Sequence, residues 1–156
     1  MQPKHRSKGQ KKQRRYYSGK KKRHTLKTQL VVEKSTRRIL CLAHEKGRRH
    51  DFRLFKKSKV CLHPKTKAVA DSGYQGLQRR HAKTEIPKKR SKKNPLSATD
   101  KKSNRAISSQ RVVCENVIAL LKRFKIIADR YRNRRRRFGL RFFLIAAIYN
   151  MELQML

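Results

Sequence analysis

A formal net charge of +37 on 156 residues makes this chain repel itself whenever its backbone becomes compact. Lys and Arg number 46 against nine Asp and Glu, so binding of a polyanion would relieve that repulsion. Nucleic acid is the polyanion to expect first for such a surface. The charge therefore predicts nucleic-acid binding, and by itself it leaves both DNA-binding and ribosomal-type or other RNA-binding proteins open.

Apolar residues are unevenly distributed along the chain. Residues 1–23 hold few apolar side chains among many Lys and Arg, which predicts a basic, disordered arm. Residues 24–156 carry most of the apolar groups and are predicted to form one domain. The longest apolar run, residues 142–149, is far below the roughly 20 residues that span a bilayer. We therefore expect a buried helix there and no membrane partner.

Cysteine content and N-terminal composition bear on the compartment. Cys41, Cys61 and Cys114 are an odd set with no close pair, which predicts reduced thiols rather than a disulfide framework. The charged start is not followed by an apolar stretch, so no signal peptide is expected. These features predict a cytoplasmic protein.

Hydrophobic periodicity in the first half predicts mainly strands. Residues 24–47 alternate as two strands joined by a polar turn, which is typical of a β-hairpin. Residues 49–59 favour a short helix and leave a loop open, and residues 68–70 predict a very brief strand that ends at an acid.

The second half predicts helices. Residues 83–104 are rich in Lys with two prolines, which indicates a loop with one edge strand near Ile86. Capping residues predict that a helix starts either in the Ser97–Asp100 region or at Ser103 and continues to Tyr131. Residues 140–156 predict a final, mostly buried helix, so the fold class is α/β.

Two acids stand out because acids are scarce. Asp71 follows the brief strand, and at about 100° per residue Arg111, Glu115 and Lys122 fall within about 40° on one face of the predicted helix. The simplest interpretation is a solvated charge stripe worth a few tenths of a kcal/mol. The alternative is that Asp71 and Glu115 together hold a divalent cation beside a phosphate backbone.

Two basic clusters are the expected phosphate contacts. Neither cluster resembles a module that reads bases. We therefore expect these residues to contribute affinity for the DNA backbone rather than recognition of a base sequence. The predicted DNA-binding residues are Lys20, Lys21, Lys22, Arg23, Arg130, Arg132, Arg134, Arg135, Arg136 and Arg137.

Several segments, in chain order, together resemble one family. They include YYSGKKKRHTLKTQLVV from residue 16, GRRHDFRLFKKS from residue 47, ADSGYQGL from residue 70, RVVCENVIALLKRF from residue 111 and RYRNRRRRFGLRFFLIAAIYN from residue 130. In that order they resemble the C-terminal half of DDE-type insertion-sequence transposases of the insertion-sequence-five group. The resemblance covers nearly the whole chain from about residue 16.

The resemblance implies a ribonuclease H-like catalytic domain in which two Asp and one Glu bind Mg²⁺ for DNA cleavage and strand transfer. It places the second catalytic, metal-binding Asp at Asp71 and the Glu at Glu115. The family's Tyr-Arg-Glu-Lys signature makes Arg111 and Lys122 supporting residues, with Ser108 where Tyr is expected. The implied partners are the transposon ends and the target DNA.

The family's first catalytic Asp lies on a strand shortly before YYSGKKK, where this sequence has the acid-free MQPKHRSKGQKKQRR. Asp51 comes too late in the chain order to replace it. The resemblance therefore implies an incomplete ribonuclease H-like fold, with a mixed sheet that lacks its first strand, plus C-terminal helices. We expect the chain alone not to cleave DNA, and to need an upstream-frame product or intact transposase subunits as a partner.

Two other functions stay open beside the transposase fragment. One is a catalytically inactive DNA-binding remnant that inhibits transposition by occupying DNA or transposase subunits. The other is the basic RNA-binding or ribosomal-type protein that charge alone suggests. The family resemblance implies a bacterial cytoplasmic protein associated with the nucleoid.

Overall fold

The computed structural model describes residues 16–18, 22–91, 94–129 and 137–155, and it begins with a pair of two-residue strands. Strands β1 (Tyr17–Ser18) and β2 (Arg23–His24) run antiparallel. The last part of the predicted basic arm therefore has paired backbone. Residues 1–15 and 19–21 of that arm lie outside the described residues.

The predicted β-hairpin is confirmed. Strands β3 (Leu26–Val32) and β4 (Ile39–Lys46) pair antiparallel, with a register shift between Val31 and Val32. The polar turn closes because Glu33 N–H donates to the carbonyl of Arg38 at 2.9 Å.

A short helix and a parallel strand pair follow the hairpin. Helix α1 (Asp51–Ser58) buries Leu54 and Phe55. Strand β5 (Ala68–Val69) pairs parallel with β6 (Thr84–Glu85), which lies next to the predicted edge strand at Ile86. Two 3-10 turns, Ser72–Tyr74 and Leu77–Arg79, connect β5 to β6.

The long helix α2 (Ala98–Leu121) begins where capping residues predicted it. The Ser97 hydroxyl accepts from Asp100 N–H at 3.0 Å, and the Asp100 carboxylate accepts from Ser97 N–H at 3.1 Å. This reciprocal capping box satisfies backbone donors that the first turn of a helix otherwise leaves unpaired.

The prediction that this helix continues to Tyr131 is wrong. The helix ends at Leu121, Phe124 takes an extended conformation, and a separate helix α3 (Lys125–Ala128) follows. The break lets Phe124 and Ile127 pack against the apolar core. Burial of these two side chains favours the break.

The last helix, α4 (Phe138–Gln154), is present but is not mostly buried. Its buried residues include Phe138 and Ile145, whereas Leu140 and Leu144 are 72% and 62% exposed. The prediction of burial is wrong because, in the described part of the chain, neighbouring elements cover only one face of this helix.

The core lies between the hairpin, α2 and α4. Its buried members are Ile39, Val117, Leu121, Ile145, Ala146 and Tyr149. The side chain of Asn150 clamps α4 to the start of β4, because its oxygen accepts from Ile39 N–H and its nitrogen donates to the Ile39 carbonyl, both at 2.9 Å. These contacts join residues 111 positions apart in the chain.

The fold class is α/β, as predicted. Antiparallel and parallel pairs are both present, but across the described residues they form separate two-stranded sheets. The three cysteines are all free, which agrees with the predicted reduced thiols. None of the helices in the described ranges is long and apolar enough to cross a membrane.

His44 on β4 is enclosed by aromatic side chains of α4. Its ring centroid lies 5.2 Å from that of Phe138, 5.2 Å from that of Phe142 and 5.7 Å from that of Phe143. Nδ1 is 3.0 Å from the Thr28 hydroxyl, whereas Nε2 is buried with no hydrogen-bond partner among the described residues. Burial lowers the pKa of His44 below its usual 6.5, because the charged ring loses hydration.

We expect the free energy of unfolding to fall as the pH drops below 6.5, because the unfolded chain then binds a proton that the folded state resists. The contribution of neutral His44 to stability is fully present above pH 6.5. It is lost as the pH falls from 6.5 toward the lowered pKa of His44 in the folded protein. Urea unfolding at pH 7.5 and 5.5 measures this. His44→Gln should remove most of the difference, and His63→Gln, at an exposed position, should retain it. Equal pH dependence in both variants would contradict the assignment.

Candidate functional site

Asp71 lies two residues beyond the short parallel strand β5 and caps the start of the 3-10 turn Ser72–Tyr74. Its carboxylate accepts from Ser72 N–H, and its carbonyl accepts from Tyr74 N–H at 2.9 Å. The side chain remains 54% exposed. The acid is thus fixed at its base by the turn, while its outer oxygen stays accessible to a ligand.

Arg111 on α2 lies between the two predicted acids. One guanidinium nitrogen is 3.6 Å from Asp71 Oδ1, and the other is 3.4 Å from Glu115 Oε1. The Glu115 contact is the one that i,i+4 spacing predicts, whereas the Asp71 contact joins α2 to the β5 turn. The structure therefore brings Asp71 and Glu115 to one arginine, whose side chain is only 27% exposed.

Lys122 does not join this group. It is the exposed C-cap residue of α2, and its backbone N–H donates to the carbonyls of Ile118 and Ala119. Seven residues beyond Glu115 correspond to about 10 Å along a helix axis. Across the ranges that the structure describes, no ion pair links Lys122 to either acid.

Asp51 and Tyr74 adjoin the site and were not predicted. A Cβ at Gly73 would lie 2.3 Å from Asp51 Oδ2, so a larger residue would displace the Asp51 carboxylate where α1 meets the Asp71 turn. Asp51 itself pairs with Lys27 at 3.0 Å. Only Gly73 and the apolar face of α1 could have indicated this contact from the sequence. The contact joins segments about twenty residues apart, and local periodicity does not extend that far.

Tyr74 packs beneath the same turn. Its ring meets Phe55 edge-on at a centroid distance of 6.5 Å. Burial raises the pKa of the Tyr74 hydroxyl, and the nearby charges of Asp51 and Asp71 raise it further, so the phenol stays neutral. The partly buried Tyr74 phenol therefore adds no charge to the site.

The donor chemistry at Asp71 and Glu115 suits a hard divalent cation. Carboxylate oxygens are the ligands that Mg²⁺ prefers, and Mg²⁺ commonly keeps several waters beside one or two carboxylates. Within the described ranges, however, no group of three or more His, Cys, Asp or Glu is placed to hold a metal ion. The residues present fit part of a magnesium site, with Arg111 lying in the space between them.

Most of the predicted DNA-binding residues lie outside the described part of the chain. Those that lie outside the described residues are Lys20, Lys21, Arg130, Arg132, Arg134, Arg135 and Arg136. Lys22 and Arg137 are exposed, and the backbone of Arg23 forms part of β2.

Comparison with known proteins gives one family and one curated relative. The profile of a DDE superfamily endonuclease domain matches residues 2–150. A probable transposase for insertion sequence element IS702 from Microchaete diplosiphon is 50% identical over 143 residues. That match covers 92% of this chain and 52% of the relative, so the chain spans about half the relative's length. No solved structure matches the chain.

Proposed function

Because this chain belongs to the DDE superfamily of endonucleases, we propose that it is the C-terminal part of the catalytic domain of an insertion-sequence-five-group transposase. Its function would be metal-dependent DNA cleavage and strand transfer, performed when the rest of the domain is supplied. The observation that carries this proposal is the pair of acids, Asp71 and Glu115, on the single guanidinium of Arg111.

The acids and the arginine have distinct roles in this proposal. Asp71 and Glu115 supply carboxylate oxygens as ligands for Mg²⁺, which when bound would polarise a phosphate oxygen and activate the attacking hydroxyl or water. Arg111 holds both carboxylates in place and limits their mutual repulsion. It is also a planar donor that can contact the phosphate undergoing transfer.

The remaining part of the domain would complete both the sheet and the acid set. In the described ranges β3 pairs only with β4, and β5 pairs only with β6, so each has one edge without a strand. We propose that a strand bearing the first Asp pairs with these edges and joins the separate sheets into a ribonuclease H-like sheet. The exposed apolar face of α4, which includes Leu140 and Leu144, would be covered in the same complete protein.

A DNA-binding remnant without catalytic activity is the second candidate. It is favoured by the net charge of +37 and by the lack of a group of three metal ligands in the described ranges. Such a protein would bind at the nucleoid and compete with intact transposase for DNA or subunits. Membership of an endonuclease family favours DNA over the RNA that charge alone left open.

Reconstitution tests the proposal. The unmatched portion of the IS702 relative, which the resemblance places ahead of this chain, is fused to its N-terminus, and cleavage of transposon-end DNA is followed with Mg²⁺. We expect cleavage by the fusion and none by the chain alone, because only the fusion holds all three proposed catalytic acids. Salt-sensitive DNA binding by both proteins without cleavage by either would favour the remnant. Cleavage by the chain alone would contradict the need for a first Asp.

A further inference from the structure

An open pocket of about 660 Å³ lies beside the candidate active site. One wall comes from α1, through Phe52 and Lys56, and the other comes from the turns that follow Asp71, through Gly76 and Arg79. Its volume is within the 300–1,000 Å³ typical of small-ligand sites. The same two elements meet at the candidate site, where Asp51 of α1 approaches Gly73 in the Asp71 turn.

Phe52 is held against a glycine backbone in this pocket. Gly76 has a φ of 94°, which favours glycine, and a Cβ there would lie 3.0 Å from the Phe52 ring. A larger residue would therefore displace the ring. The ring is partly buried and offers a flat apolar surface to a ligand.

All charged residues that line the pocket are cations, namely Lys56, Arg79 and Arg80. The Lys56 ammonium lies 4.6 Å from the Phe52 ring centroid, a cation–π contact. In the described ranges none of the three forms an ion pair with a carboxylate. The two arginines are therefore available to a phosphate, an anion that Arg binds with two parallel hydrogen bonds.

Two glutamines complete the lining and are fixed by backbone carbonyls. The side-chain nitrogen of Gln75 donates to Pro87 at 3.2 Å, and that of Gln78 donates to Thr84 at 3.4 Å. Each amide oxygen is left as an acceptor for the polar edge of a ligand. The pocket thus combines an aromatic surface, fixed acceptors and unpaired cations.

We propose that this pocket binds one unpaired nucleotide of a DNA strand, with its base against Phe52 and its phosphate on Arg79 and Arg80. A base presents its face to an aromatic side chain only when it is outside a duplex stack, so the pocket selects single-stranded over duplex DNA. This inference rests on the proposed function and assigns a place where the substrate strand is held.

Fluorescence of 2-aminopurine in a short single-stranded DNA tests the proposal on the full chain, because stacking quenches this base. We expect quenching on binding to the unaltered chain. In Phe52→Leu the quenching should be lost and single-strand affinity should fall about tenfold, with duplex affinity changed less than about twofold. Arg79→Gln with Arg80→Gln should reduce the slope of log affinity against log salt by about 1.4. The matched control is Arg105→Gln with Lys102→Gln, exposed cations on α2 outside the pocket.

The outcomes separate this inference from the proposed function. Unchanged quenching and affinity in Phe52→Leu, or arginine variants that match the α2 control, would overturn the pocket even if the reconstituted enzyme cleaves DNA. Quenching that depends on Phe52 would support the pocket even if no cleavage is obtained. Equal or tighter binding of RNA of the same sequence would overturn the assignment to DNA, as would absence of single-strand binding.

Discussion

Asp71→Asn and Glu115→Gln are each expected to reduce DNA cleavage by the reconstituted fusion on the order of 10³-fold. Each substitution keeps the size of the side chain and removes the negative charge that a divalent cation needs. Single-turnover cleavage of labelled transposon-end DNA at saturating protein measures the loss. DNA affinity should stay constant or increase, because a negative charge is removed from a surface that binds phosphate.

Asp129→Asn is the matched control, since Asp129 is an exposed acid at the end of α3. It should cleave at the unaltered rate. The cleavage rate of Arg111→Lys should lie between those of Asp71→Asn and Asp129→Asn. Lysine keeps the positive charge, but it cannot span two carboxylates as a guanidinium does. Cleavage by Asp71→Asn within threefold of the unaltered fusion, with DNA affinity intact, would contradict the role of Asp71.

Leu121→Ala is expected to lower the free energy of unfolding by about 2–5 kcal/mol, the range for a large-to-small change in a close-packed core. Leu121 is 2% exposed and packs in the cluster with Val117, Ile145 and Tyr149. Urea unfolding followed by circular dichroism measures the change.

Leu120→Ala on the same helix is the control. It removes the same atoms one residue away, at a side chain that is 49% exposed. It should cost about 1 kcal/mol or less. Similar losses of unfolding free energy in the two variants would contradict the burial of the Leu121 face of α2 in the core.

Local patterns predicted much of the fold. Alternation predicted the hairpin, because side chains on a strand point to opposite faces with a period of two. The capping box at Ser97 was predictable because its two hydrogen bonds lie within four residues. The end of α2 at Leu121 was not, because local periodicity continues through Phe124, and the break depends on packing against distant residues.

The candidate site divides in the same way. Arg111 and Glu115 were grouped by helical rotation alone, since both lie on one helix. The 3.6 Å approach of Arg111 to Asp71 joins residues forty positions apart, and no periodicity encodes it. The positions of Asp51 and Tyr74 beside the same turn, and the pocket at Phe52, depend likewise on how α1 packs.

Composition and neighbours along the chain are enough to predict the charge, the helix that carries Arg111 and Glu115, and the short strand that precedes Asp71. The contact of both acids with one guanidinium and the exposed apolar face of α4 follow only from how the elements pack. Such contacts depend on long-range packing, which responds to the summed burial of many side chains rather than to any single segment.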